Sequence, residues 1–338
     1  MKAALFYGKE DIRVEDIEDP HPGPNEIVLK IITCGVCGSD VRMFLHGPSP
    51  RYKLPGILGH ELCGEIVEVG AHISDYNIGS RVTVAPIIPC MRCTACSRGY
   101  DNICEKGDGI GNSQDGGMVE YMKIPEQMVM AGGVVEVPEE ISSEAAALSE
   151  LVGCCLNGIN QMGILPGDNI LIIGDGPIGL TFLQLLRTFG VHYVATSGRR
   201  KPRQELSSEL GSDNAFNATE TDVKTVLKNS MNHVIVAAPT VEGAEDAFEI
   251  VKPGGSILLF SGYLPGSKLS FDINFLHYRQ IHIHGSIDCT IKEFRHAVRL
   301  QPLLNMNRLV SSRFSIDKTK EAFYASKEAD AIKVMIEP

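Results

Sequence analysis

Four cysteines crowd into PCMRCTACSRGYDNIC, as Cys90, Cys93, Cys96 and Cys104. A loop this short does not easily hold two unstrained disulfides, whereas four thiolates at C-x2-C-x2-C spacing can converge on one tetrahedral ion. Ferredoxin-type runs share that spacing, so an iron–sulfur cluster is the rival reading. Here the fourth cysteine comes after seven further residues and lacks the trailing proline, which favours zinc. With all four ligands supplied by protein, such a site is closed: it shapes a lobe, at about residues 86–106, and does no chemistry.

A second set lies in CGVCGSD and GHELCGE, where Cys37 and His60 are good zinc-ligand types and Glu61 and Glu150 can complete or support a site. A thiolate and an imidazole with an open position suit a catalytic zinc, which polarises an oxygen and lowers its pKa. Taken alone, Cys37 also reads as a small buried hydrophobe and His60 as a satisfied core histidine. The third set is Gly174-Asp175-Gly176-Pro177-Ile178-Gly179, preceded by the apolar NILIIG and followed by GLTFLQLLRTFG. A glycine-rich turn between strand and helix lets a pyrophosphate sit at the helix N-terminus. Asp175 is out of place beside a pyrophosphate, and its side chain is expected to point away.

The elements that must position these groups change in texture along the chain. EIVLKIITCGV, GEIVEVG and RVTVAPII are rich in β-branched residues and separated by GPN, NIGS and DGG, so the first 140 residues or so read as β-rich. SSEAAALSELVGCCLNGINQM reads as a helix with Ser142 or Ser143 as N-cap. Strands and helices then alternate, with apolar strands in NILIIG, VHYVATS, HVIVAAP, SILLFSGY and QIHIHGSI, the pattern of a parallel sheet covered on both faces. IKEFRHAVRLQPLL reads as a helix, and the last strand, AIKVMIEP, is expected to rejoin the first domain.

The chain has 338 residues and a net charge of −11. That length suggests two domains, and the acidity argues against general nucleic-acid binding. MKAALFYGKEDIRVED offers no signal-peptide core, and the most apolar run is broken by Asp175 and glycines, which speaks against a membrane span. A cytoplasmic location is the expectation.

CGVCGSD, GHELCGEIVEVG, the four-cysteine lobe, DGGMVEY, the glutamate of ALSELVGCC and the nucleotide turn follow in the order seen in zinc-dependent medium-chain dehydrogenases. Over essentially its whole length the chain resembles that family, and its polyol branch of sorbitol, butanediol, galactitol-phosphate and threonine dehydrogenases most closely. The resemblance implies an α/β protein: a GroES-like catalytic domain over 1–149 and 288–338, and a Rossmann doubly wound parallel-sheet domain over 150–287. It implies two zinc ions per subunit and a homodimer or homotetramer. Cys37 and His60 match the catalytic zinc ligands, and Glu150 matches the third, carboxylate ligand of the polyol branch. Glu61 matches a glutamate that in relatives binds or supports the metal, and Ser39 the hydroxyl that relays the substrate proton. Many relatives carry a proton-accepting histidine where this chain has Arg42, and an arginine cannot serve as a base. Proton release is then expected through water or His46. Arg42 reads either as a binder of an anionic or phosphorylated substrate or as a surface residue.

The reaction implied is reversible oxidation of a secondary alcohol, of a polyol, sugar alcohol or its phosphate, to a ketone. Threonine-type oxidation, an NAD-dependent polyol dehydrogenase and a non-catalytic nucleotide-binding relative are the alternatives. TSGRRK, at the end of VHYVATS, bears on the cofactor. Gly198 stands about where a ribose-binding acid is expected. A glycine leaves room there, and Ser197, Arg199 and Arg200 can donate to a 2′-phosphate, which favours NADP(H) over NAD(H). A solvated basic loop is the plainer reading.

Overall fold

The computed structural model describes residues 1–49 and 52–338. Two compact units emerge, one made of residues 1–153 with 288–338 and the other of residues 154–287.

The first unit is built mainly on antiparallel β-structure, with Val310–Ser315 and Lys333–Glu337 paired in parallel. Its largest sheet runs in the order Val134–Glu136, Arg81–Val84, Glu61–Val69, Ile27–Gly35, Lys333–Glu337 and Val310–Ser315, with Tyr121–Ile124 also paired to Ile27–Gly35. The stretch EIVLKIITCG, rich in β-branched residues, becomes a strand whose apolar members Ile27, Val28, Leu29 and Ile31 are buried. One register decides the geometry of the site. Gly35 pairs with Glu61 on one side and with Met335 on the other, so the C-terminal strand lies in the same layer as the GHELCGE segment. A helix not anticipated from the sequence, Gly38–His46, starts directly after this strand with Cys37 at its N-cap. Asp40 closes that cap by accepting the Cys37 backbone N–H at 3.0 Å.

The helix expected across 143–162 is broken in two, Ser143–Ala147 and Ser149–Met162. Ser142 caps the first piece, its hydroxyl accepting the Ala145 N–H at 3.1 Å. The break falls at Leu148, whose ψ of 5° is not helical, and it puts Glu150 in the first turn of the second piece.

The second unit is a six-stranded sheet, ordered Asn214–Asn217, Tyr193–Gly198, Asn169–Ile173, Met231–Val236, Val251–Leu259, His282–Gly285, and every pairing is parallel. In chain order this is 3-2-1-4-5-6, the doubly wound dinucleotide-binding arrangement. Ile170–Ile172, Val234–Val236 and Ile257–Leu258 are fully buried, as strands covered on both faces must be. The glycine turn leads from the first strand into the helix Pro177–Thr188, with Gly176 as N-cap and Pro177 in its first turn. Among the described residues no helix is long and apolar enough to cross a membrane.

Candidate functional site

In the first unit the Cys37 thiol, a His60 ring nitrogen and a Glu61 carboxylate oxygen all lie within 4.8 Å of one another. Cys37 arrives from the N-cap just described, and His60 and Glu61 from the start of the strand Glu61–Val69. Asp40, fully buried, sets its Oδ1 3.7 Å from His60 Nδ1, too far for a hydrogen bond but close enough to favour positive charge on the ring. Burial opposes a charge on His60, yet Asp40, Cys37 and Glu150 together hold its pKa well above the ordinary value. Asp288 faces the same imidazole, and burial pushes its own pKa and that of Asp40 up. Carboxylates gathered around one partly buried imidazole describe a place where positive charge is in demand, and a divalent cation fits it.

Glu61 already has a partner. Lys333 Nζ, from the C-terminal strand, lies 2.7 and 2.8 Å from its two carboxylate oxygens, and only 3% of Lys333 and none of Glu61 is exposed. Burial works against the lysine's charge, but Glu61, followed by Cys37 and Glu150, holds its pKa above the usual value. The carboxylate lies over Gly35, where a Cβ would collide with it, so the glycine of CGVCGSD is a requirement of this ion pair. Lys333 is separated from Glu61 by 272 positions, and the sequence reading missed it.

Glu150 is buried and belongs to a neighbouring carboxylate pair with Asp288, outside the Cys37–His60–Glu61 triangle. Ser39, Arg42 and His46 share the helix Gly38–His46, and all three are exposed. Three-residue spacing puts Ser39 and Arg42 on one side of it.

The four-cysteine lobe comes together as well. The thiols of Cys90, Cys93, Cys96 and Cys104 lie within 4.8 Å of one another, and none is in a disulfide. Cys93 Sγ and Cys104 Sγ are 3.8 Å apart, far beyond a disulfide bond and close to the roughly 3.8 Å edge that zinc–sulfur bonds of about 2.3 Å produce in a tetrahedron. Backbone N–H groups of Cys90 and Cys96 point at Cys104 Sγ and Cys93 Sγ, at 3.2 and 3.5 Å. The Cys96 N–H is the main reason that the Cys93 thiol is lowered to about 6, as a metal-binding thiolate needs. Replacing Cys96 by serine is expected to release the lobe: tryptic cleavage after Arg92 and Arg98 should become rapid. Unchanged proteolysis of the zinc-loaded variant would contradict a structural metal here.

In the second unit the glycine turn and the end of the strand Tyr193–Gly198 open onto a cavity of about 640 Å³. Gly174, Asp175, Ser197, Gly198, Arg199 and Arg200 line it, together with Arg203, a cation the sequence reading did not single out. Gly176, Pro177, Ile178 and Gly179 form the turn and the first residues of the helix beside it. The guanidinium of Arg203 approaches Gly176, 3.9 Å from where a Cβ would stand. One expectation is corrected. Gly198 does not leave open space, because the Asp175 carboxylate occupies it and a Cβ at position 198 would collide with that group.

Two family models match the chain, the alcohol dehydrogenase GroES-like domain over residues 23–139 and the zinc-binding dehydrogenase over residues 177–301. Among curated proteins, the L-galactonate-5-dehydrogenase of Escherichia coli (strain K12) is 31% identical, the alignment covering 89% of this chain and 87% of that one. The L-threonine 3-dehydrogenase of Pyrococcus abyssi is 30% identical over 99% and 97%, and the sorbitol dehydrogenase of Bacillus subtilis (strain 168) 27% identical over 100% and 97%. Among solved structures, a zinc-binding dehydrogenase from Sinorhizobium meliloti 1021 bound to NADP superposes with a TM-score of 0.93 at 30% identity, covering 100% of this chain and 99% of that one.

Proposed function

Because the chain belongs to the zinc-dependent medium-chain dehydrogenase family and is therefore an oxidoreductase, we propose that it interconverts a secondary alcohol and a ketone. The substrate class is a polyol, a sugar alcohol or its phosphate, and NADP(H) carries the hydride. The observation that carries this reading is the meeting of Cys37, His60 and Glu61 in an acid-rich pocket.

Cys37 and His60 are assigned as zinc ligands, with Glu150 as the carboxylate third, since both oxygens of Glu61 are engaged by Lys333. Glu61 then supports the site from behind. When bound, zinc supplies Lewis acidity toward the alcohol oxygen, and the nicotinamide accepts the hydride. Asp40, 3.7 Å from His60 Nδ1, supplies negative charge behind the ring. Ser39 takes the hydroxyl proton and, being exposed, hands it to water, so that Arg42 is not asked to act as a base. Arg42, on the same side of the helix as Ser39, is assigned to an anionic group of the substrate. A second zinc is assigned to Cys90, Cys93, Cys96 and Cys104. The working assembly is taken as a homodimer or homotetramer in the cytoplasm.

Arg199 and Arg200 are assigned to the 2′-phosphate of NADP(H), with Arg203 and Ser197 beside them in the same cavity. The NADP-bound relative from Sinorhizobium meliloti 1021 supports that reading. Charge-assisted hydrogen bonds are each worth about 1.5–3 kcal/mol. The double variant Arg199→Ala/Arg200→Ala, which removes at least two such bonds, should therefore raise the Michaelis constant for NADP(H) by about 100-fold or more and leave that for NAD(H) nearly unchanged. Equal effects on both would return the stretch to a solvated loop.

The substrate is tested by turnover of polyols, sugar-alcohol phosphates and L-threonine with both cofactors. L-threonine belongs in the panel because of the 30% identical threonine dehydrogenase. Preference for a polyol or its phosphate supports the reading, and preference for L-threonine would overturn the substrate class while keeping the chemistry.

A further inference from the structure

Asp175 is the residue in the cofactor cavity that the proposed function leaves without a role. It leaves the first strand of the parallel sheet one residue after Gly174, and its carboxylate reaches across to the end of the neighbouring strand, over Gly198. Only 6% of the residue is exposed. The Arg200 backbone N–H bonds to the carboxylate, yet its Oδ2 is buried with no hydrogen-bond partner. A buried carboxylate oxygen without a donor is costly, and it is most simply understood as waiting for one. Asp175 itself lines the cavity, together with Ser197, Gly198, Arg199, Arg200 and Arg203.

Its place identifies the donor. In doubly wound sheets the acid that accepts a hydroxyl of the adenosine ribose projects from the end of the second strand. In this chain that position is Gly198, and the space a side chain there would fill holds the Asp175 carboxylate. The acid is therefore present but supplied from the glycine turn. A side chain at 198 and an aspartate at 175 exclude one another, which accounts for the glycine as well as for the unusual aspartate.

On the reading that this cavity takes a dinucleotide, we propose that Asp175 is a specificity-determining residue whose carboxylate accepts an adenosine ribose hydroxyl. It sustains binding of the unphosphorylated cofactor and limits the preference that Arg199, Arg200 and Arg203 give to a 2′-phosphate. Like charges close together repel, so the same carboxylate that holds a hydroxyl works against a phosphate in its place.

The test is direct binding of NADH and NADPH to the full chain, followed by fluorescence or calorimetry, so that it does not depend on turnover. Asp175→Ala should weaken NADH about tenfold or more and tighten NADPH several-fold. Asp175→Ala/Gly198→Asp, which returns the acid to the strand end, should recover NADH binding and depress NADPH. Asp175→Asn, which keeps the volume, should move the two affinities in the same directions as Asp175→Ala should the smaller side chain disturb the fold. Parallel changes for both cofactors in Asp175→Asn, or failure of the folded double variant to recover NADH, would overturn the proposal. Arg199→Ala/Arg200→Ala tests the underlying NADP reading separately, because there the phosphorylated cofactor alone should respond.

Discussion

Cys37→Ser should abolish turnover, by about three orders of magnitude or more, in a protein that keeps its fold and its lobe metal. The size follows from the role assigned: Lewis-acid stabilisation of the reacting oxygen is worth several kcal/mol, and each 1.36 kcal/mol is tenfold in rate. The thiol sits at the N-cap of Gly38–His46, whose capping contact runs from the Cys37 backbone to Asp40, so serine keeps the helix start intact. Zinc per subunit should fall by one, and the far-ultraviolet circular dichroism should stay as it was. Turnover within a few-fold of the original would remove Cys37 from the chemistry.

Lys333→Met should be the most destabilising single change near the site. It leaves Glu61 charged, fully buried and without its cation between paired strands. Removing one partner of a buried ion pair costs about 3–5 kcal/mol, whereas replacing both by apolar or neutral groups costs far less. Denaturant unfolding of the metal-free protein should show that loss, and Lys333→Met/Glu61→Gln should recover most of it. The same measurement decides which carboxylate serves zinc. Saturating zinc should do little for Lys333→Met beyond its effect on the original protein if Glu150 is the third ligand. A much larger rescue by zinc would mean that the released Glu61 takes the metal instead.

Local signals in the sequence went a long way. The strand–turn–helix around Gly174–Gly179 and the apolar strands after it belong to the parallel sheet that their pattern indicates. The spacing of Cys90, Cys93, Cys96 and Cys104 is short enough for the chain itself to bring the thiols together. What stayed hidden depends on pairing between distant segments. Lys333 reaches Glu61 only because the last strand lies antiparallel to Ile27–Gly35, and nothing in AIKVMIEP distinguishes that lysine from a surface one. Gly198 was legible as a missing acid, but a one-dimensional reading cannot place Asp175 above it, since the two meet only when adjacent strands align Ile173 with Ser197. Arg203 carries no signal of its own in the sequence, although it lines the same cavity. Leu148 shows the limit for helices: the run SSEAAALSELVG has helical periodicity throughout, and the chain nevertheless breaks there and sets Glu150 in a new first turn.

On the proposed function, an exchangeable zinc at Cys37 and His60 is required for alcohol oxidation, while the lobe zinc takes no part in the reaction. The most direct test of that requirement is metal content and NADP-linked polyol turnover followed together during chelation and zinc return. Activity should disappear as the first zinc per subunit leaves, with the fold intact, and should return in proportion when zinc is restored. Turnover that persists after both metals are gone would contradict the requirement.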